Sequence, residues 1–144
     1  MNLLKKFDKK YKKKIEPYID FGDTLNEIID KVKLKFNIDL NEMNSELVKR
    51  KTETNFRMKY HRDNYMVRNI EGKLVFIQFK NIKISKYSLI WYKNDDFTGG
   101  SFQFLNSKQI NPKKNMFIFF DSNQIHRVNK QLSGERIIEL YKFI

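Results

Sequence analysis

Only two histidines occur in the 144 residues, His61 and His126, and Asp63 stands two places after the first. Side chains along an extended strand repeat every second residue, so His61-Arg62-Asp63 presents an imidazole and a carboxylate on one face. If a second strand brings His126 to the same spot, two neutral nitrogen donors and one anionic oxygen donor occupy one side of a metal ion. The opposite positions then stay open, an arrangement suited to Fe(II). A lone His-x-Asp is common, so the weight of this reading rests on what accompanies it.

The accompanying residues come in a fixed order. After His61-Arg62-Asp63-Asn64 stand Leu89-Ile90-Trp91-Tyr92-Lys93-Asn94-Asp95, then Gly99-Gly100-Ser101-Phe102, and then Pro112 with the apolar run Met116 to Phe120. His126-Arg127-Val128 follows, and Gly134-Glu135-Arg136 closes the series. Together these resemble the prolyl-4-hydroxylase-type branch of the 2-oxoglutarate/Fe(II)-dependent dioxygenases over about the last two thirds of the chain.

The resemblance implies a double-stranded β-helix, the jelly roll of cupins and oxygenases. It also implies Fe(II) on His61, Asp63 and His126, 2-oxoglutarate as cosubstrate, O2 as oxidant, and ascorbate as a candidate reductant. Arg136 falls where such proteins carry a basic residue for the far carboxylate of 2-oxoglutarate, and a guanidinium pairs with a carboxylate through two parallel bonds. Related hydroxylases have a tyrosine nine or ten residues before the first metal histidine; here Lys51 and Thr52 occupy those places. Thr52 is therefore the candidate for that hydrogen bond. Ile138 stands where some relatives place a hydroxyl or amide. Asn64, Tyr65 and Arg68 follow the aspartate and are candidates for the substrate side.

The composition frames what must position these groups. With 40% hydrophobic and 15% aromatic residues the chain can bury a core of one domain. The expectation is a single domain over residues 1–144, with 1–44 a helical, basic support and 45–144 the jelly-roll core. No run reaches the length of a membrane span. With no cysteine, neither a disulfide frame nor a thiolate metal site exists, and an intracellular location is expected. The net charge is +12, and seven lysines lie in the first fourteen residues. That charge keeps nucleic acid open as a partner, although the wealth of lysine, asparagine and isoleucine, with no alanine, reads equally as a compositional skew.

Leu3, Leu4, Phe7, Tyr11 and Ile15 are spaced as a thin helical stripe that ends before Pro17, and Phe21-Gly22-Asp23 reads as a turn. Thr24 followed by Glu27 is a capping box for a second helix carrying Leu25, Ile28, Ile29, Val32 and Phe36, with Asn37 as its stop. From Ser45 the pattern changes to strands. They are expected at 46–51, 55–61, 73–80, 84–92, 100–105, 116–120, 125–129 and 136–143, with turns at 69–72, 94–99 and 111–114. Many short strands with regular turn signals favour a closed antiparallel architecture over a parallel sheet.

These residues point to an Fe(II)- and 2-oxoglutarate-dependent dioxygenase, a hydroxylase acting on a prolyl or lysyl side chain of a protein or peptide. Two alternatives remain at this level: an oxidative nucleic-acid demethylase, and a cupin-like binding module without enzymatic activity. The demethylases resemble Arg-x-Asn-x-Thr-x-Arg after the distal histidine, and Arg136-Ile137-Ile138-Glu139-Leu140-Tyr141-Lys142 keeps only the end charges.

Overall fold

Phe117 and Phe119 point one way along their strand and Met116, Ile118 and Phe120 the other, yet all five are buried. A strand with apolar residues on both faces needs cover on both, and this requirement sets the architecture. The computed structural model describes residues 13–41, 45–63, 65–71, 73–78 and 85–144, with backbone alone for 65–70 and 73–78.

In chain order the elements are β1 (Tyr18–Phe21), α1 (Leu25–Phe36), β2 (Ser45–Thr52), β3 (Met58–His61), β4 (Tyr65–Ile70), β5 (Lys73–Gln78) and β6 (Tyr87–Tyr92). Then come β7 (Phe97–Gly99), β8 (Phe102–Phe104), β9 (Met116–Asp121), β10 (His126–Val128), β11 (Gln131–Gly134) and β12 (Arg136–Phe143). The major sheet runs β1-β9-β6-β12-β2 and the minor sheet β3-β10-β8, while β7 with β11 and β4 with β5 form two-stranded ribbons. Every pairing is antiparallel.

Between the two sheets lies one core: Ile90 and Tyr92 of β6, Met116, Ile118 and Phe120 of β9, Phe102 and Phe104 of β8, Val128 of β10 and Ile138 of β12. On the outer face of the major sheet, Leu89, Trp91, Phe117, Phe119, Tyr141 and Phe143 meet Ile28, Ile29 and Val32 of α1. Each fully buried side chain of this size stabilises the fold by roughly 1.5–3 kcal/mol relative to exposure. The strand period of two therefore sorts residues between a helix-covered face and an inter-sheet core that can also hold a site. This is the expected jelly roll.

Thr24 caps α1 by accepting from the Glu27 amide at 3.2 Å, while the Glu27 carboxylate accepts from the Asp23 amide at 3.0 Å. Asn37 ends the helix in the left-handed region.

Several differences from expectation are instructive. Of the expected N-terminal helix at 3–15, residues 13–15 are not helical, and 1–12 lie outside the described residues. Among the described residues of 1–44, α1 is the one helix, and β1, which the pattern did not indicate, joins the major sheet beside β9. A four-residue strand ending in Phe21-Gly22 carries too little alternation to register as one, and its partner is about a hundred residues away. Residues 65–70, which lie outside the expected strands, pair with 73–78 as a hairpin, so the strand runs into the turn expected at 69–72. Likewise β7 and β11 are short, glycine-ended pieces that exist because they pair with each other. Gly99 sits there at φ +69°, and a Cβ at that position would run into the Lys130 carbonyl.

Candidate active site

β3 and β10 are direct neighbours in the minor sheet, and their register sets His61 opposite His126. The ring centroids are 4.3 Å apart. β3 ends at His61, so Asp63 lies in the turn beyond the strand rather than on it, and its amide is tied to the Ser122 carbonyl at 3.1 Å. The expected convergence survives that change. Asp63 Oδ1 stands 2.9 Å from His126 Nε2 and 3.7 Å from His61 Nε2, and the three candidate ligand atoms lie within 4.8 Å of one another.

Two neighbouring octahedral donors, each about 2.1 Å from a metal, are about 3 Å apart. His126 and Asp63 already have that spacing, and His61 needs to close in slightly.

Each imidazole is turned by the same local device. The Nδ1–H of His61 donates to the Lys59 carbonyl at 2.7 Å, and that of His126 donates to the Gln124 carbonyl at 2.8 Å. Committing Nδ1 in this way leaves the Nε2 lone pair facing the common spot. His126 is 2% exposed and packed among Phe102, Phe104 and Phe120, whereas the His61 side chain is 18% exposed. Burial, helped by the neighbouring His126, pulls His61 down to about 4, so its ring is neutral and ready to bind metal at physiological pH.

Burial pushes the Asp63 carboxyl up, but His126, His61 and Ser88 outweigh that and hold it well below the usual carboxylate range. Ser88 of β6 donates to Asp63 Oδ2, the Ser88 and Ser122 hydroxyls are 2.8 Å apart, and Ser85 donates to Ser122 at 2.9 Å. This buried serine chain occupies one carboxylate oxygen and leaves Oδ1 for a metal. No motif marks Ser85, Ser88 or Ser122.

The other end of the site is Arg136, on the first position of β12. It is 1% exposed and lines the same cavity of about 270 Å³ as His61, Asp63 and His126. Its Nη1 reaches the Thr52 hydroxyl at 3.5 Å, its Nε has no partner, and it has no ion pair among the described residues. The Phe56 and Tyr92 rings flank it at 5.9 and 5.6 Å.

Thr52 faces Arg136 across the β2–β12 ladder but donates its proton to Gln131 at 2.8 Å. Gln131 in turn bonds the carbonyls of Thr52 and Gly134. Thr52 thus braces the arginine from behind, and it is not among the residues that line the cavity. Lys51 points outward to Glu135.

Two residues join this end that spacing did not single out for it. The Tyr92 hydroxyl is fully buried beside Arg136, and burial pushes it up against the pull of Arg136, keeping it neutral. Arg50, inward-facing on β2, lines the cavity and touches the Met58 sulfur at 3.4 Å. The inward set of a strand could have flagged Arg50, since it shares a face with Thr52. Asn64, Tyr65 and Arg68 cannot be placed in the site, as their side chains lie outside the described residues.

The profile of the 2OG-Fe(II) oxygenase superfamily matches residues 47–140, the segment that carries all four of these polar anchors. The chain belongs to that superfamily. Fe(II) is therefore its cofactor, 2-oxoglutarate its cosubstrate and O2 its oxidant, and the donor set described above fits such a metal. No curated protein sequence matches the chain.

Among solved structures, a prolyl-4-hydroxylase of Pseudomonas putida aligns with a TM-score of 0.55 at 17% identity, covering 86% of this chain and 69% of that one. A viral collagen prolyl hydroxylase from Paramecium bursaria Chlorella virus-1, in its 2-oxoglutarate complex, aligns at 0.51 and 18%, covering 90% and 79%. Against an oxidoreductase of the 2OG-Fe(II) oxygenase family from Burkholderia pseudomallei (TM-score 0.45, 15% identity), the match covers 68% of this chain but 43% of the other. At these identities the likeness establishes the oxygenase jelly roll. Among the described residues no helix is long and apolar enough to cross a membrane.

Proposed function

We propose that this superfamily member hydroxylates a protein side chain, prolyl or lysyl, using Fe(II) held by His61, Asp63 and His126 and 2-oxoglutarate anchored by Arg136. The observation that carries the reading is the buried guanidinium, without an ion pair among the described residues, in the same cavity as the three candidate metal donors. An isolated buried charge costs several kcal/mol, so the cavity is built for an anion. A diacid with one end at the metal and the other at Arg136 relieves both ends at once.

The chemistry supplied by the bound iron is oxidative: one oxygen atom of O2 becomes the hydroxyl of the product, and the other enters succinate as 2-oxoglutarate loses CO2. The protein's part is positional. Ser88 fixes Asp63, the two carbonyl acceptors fix the imidazoles, and Thr52 and Gln131 hold Arg136 in line. Phe102, Phe104 and Phe120 keep water from His126, while Ile90, Leu140 and Val128 give the remaining wall an apolar surface for a substrate side chain.

Support for a protein substrate comes from the prolyl hydroxylases among the similar folds. The test is succinate release by the Fe(II)-loaded protein, with peptide pools and oligonucleotide pools scanned for a product heavier by one oxygen atom. The reading predicts 2-oxoglutarate consumption coupled to an oxygenated peptide. Coupling to an oligonucleotide overturns the substrate class, and no consumption of 2-oxoglutarate overturns the activity.

A further inference from the structure

Just outside the metal cavity lies a second groove of about 210 Å³, lined by Arg57, Met58, Lys59, Arg127, Val128, Asn129 and Lys130. Met58 and Val128 line both spaces, and they pair with each other one step along the ladder from His61 and His126. The groove thus borders the site across this pair, with Arg127, which alternates with His126 and Val128, on the outer face of the minor sheet. Among the described residues that line it, four of seven are cations and none is an acid. Arg127 is held for a purpose beyond solvation: its Nε and Nη2 both donate to Gln103 Oε1, at 3.2 and 2.8 Å, and its guanidinium lies over the Tyr60 ring at 4.6 Å. A cation fixed by a neutral amide and a ring keeps its charge available to an incoming anion.

The geometry points to an acidic protein segment as the substrate, with carboxylates seated in this groove while the residue to be hydroxylated enters the cavity. This inference rests on the protein-hydroxylase reading above and names the substrate's flanks. β10 rises about 3.3 Å per residue, so Val128, at the edge of the groove, stands about 7 Å along from His126. A peptide running alongside therefore reaches the groove's cations from about two positions beyond the modified residue. A single-stranded nucleic acid fits less well, because such sites present aromatic faces on which successive bases stack. Among the described residues the groove lining holds no aromatic, and the adjacent Tyr60 already has Arg127 over its ring.

The test is direct binding, read by fluorescence anisotropy of labelled peptides on the full chain loaded with Co(II) and 2-oxoglutarate, so that it does not depend on turnover. The probes are peptides with a central proline or lysine and glutamates two and four positions away, on the N-terminal, the C-terminal or both sides. Glutamine versions and an oligonucleotide of equal charge serve as comparisons. At least one glutamate peptide is expected to bind roughly 10-fold more tightly than its glutamine version, weakening with salt. The surface variant Arg57→Gln/Lys130→Gln is expected to lose much of that preference while keeping peptide-independent 2-oxoglutarate consumption.

Equal binding of glutamate and glutamine peptides, an unchanged preference in the double variant, or stronger binding of the oligonucleotide each overturns the proposal. Failure of the hydroxylase reading appears separately, as tight acidic-peptide binding without 2-oxoglutarate consumption.

Discussion

The two ends of the cavity are built on opposite principles. At the metal end every group has a second contact: each imidazole gives its Nδ1–H to a carbonyl, and the second Asp63 oxygen accepts from Ser88. At the other end Arg136 is a buried cation whose neighbours are hydroxyls and rings, with no ion pair among the described residues. In the proposed reading the first end takes a cation, and the second takes a negative charge that a ligand brings. A site that is charge-complementary only when loaded spends stability on selectivity for its cosubstrate.

The sharpest way to break this contrast is at the metal end. His126→Ala is expected to lower Fe(II) affinity by more than about 100-fold, beyond what loss of an outer hydrogen bond does, as measured by anaerobic titration. Retained affinity removes His126 from the ligand set.

At the opposite end, Arg136→Gln is expected to raise the KM for 2-oxoglutarate roughly 10- to 100-fold, the worth of a charge-assisted pair, while Fe(II) binding persists. Arg136→Lys should fall between, because an ammonium lacks the two-pronged geometry. The unloaded protein offers a second check. Arg136→Met removes an uncompensated buried charge and is expected to raise its melting temperature, whereas added 2-oxoglutarate no longer raises it.

The neutral state of the metal end has its own signature. His61 titrates near 6.5 in an unfolded chain but at about 4 in the fold. The unfolded chain therefore takes up the proton first as pH falls. The stability from keeping this ring neutral is full above pH 6.5 and is lost on the way down to about 4. Between pH 7 and 5 the metal-free protein is expected to lose about 2 kcal/mol through this group. Urea unfolding of wild type against His61→Asn isolates it, and equal pH slopes disprove the depressed value.

Smaller effects probe the supports. Ser88→Ala, which frees Asp63 Oδ2, is expected to weaken Fe(II) binding about 10-fold and to leave the cosubstrate KM at saturating iron nearly unchanged. Tyr92→Phe is expected to do the reverse, raising that KM about 3- to 10-fold, the worth of one hydrogen bond, with iron binding intact. If Ser88→Ala shifts the cosubstrate KM as well, the two ends are coupled and the contrast between them fails.

The sequence by itself determined the chemistry that needs particular atoms. The candidates His61, Asp63, His126 and Arg136 stood out because few side chains can ligate Fe(II) or clasp a carboxylate, and the fold gathers all four around one cavity. Helix α1 was legible for a similar reason, since its cap, stripe and stop are all local. What only the tertiary structure decided is whatever depends on partners far away in the chain. β1, β7 and β11 are strands because distant strands receive them. Thr52 became a brace rather than a ligand because Gln131, from the other end of the chain, takes its proton. Ser88 and Tyr92 look like ordinary core positions until the sheet brings them to Asp63 and Arg136. The basic groove beside the metal exists only where β3 and β10 lie side by side, because charges dispersed in sequence acquire a direction only when strands set them on one face.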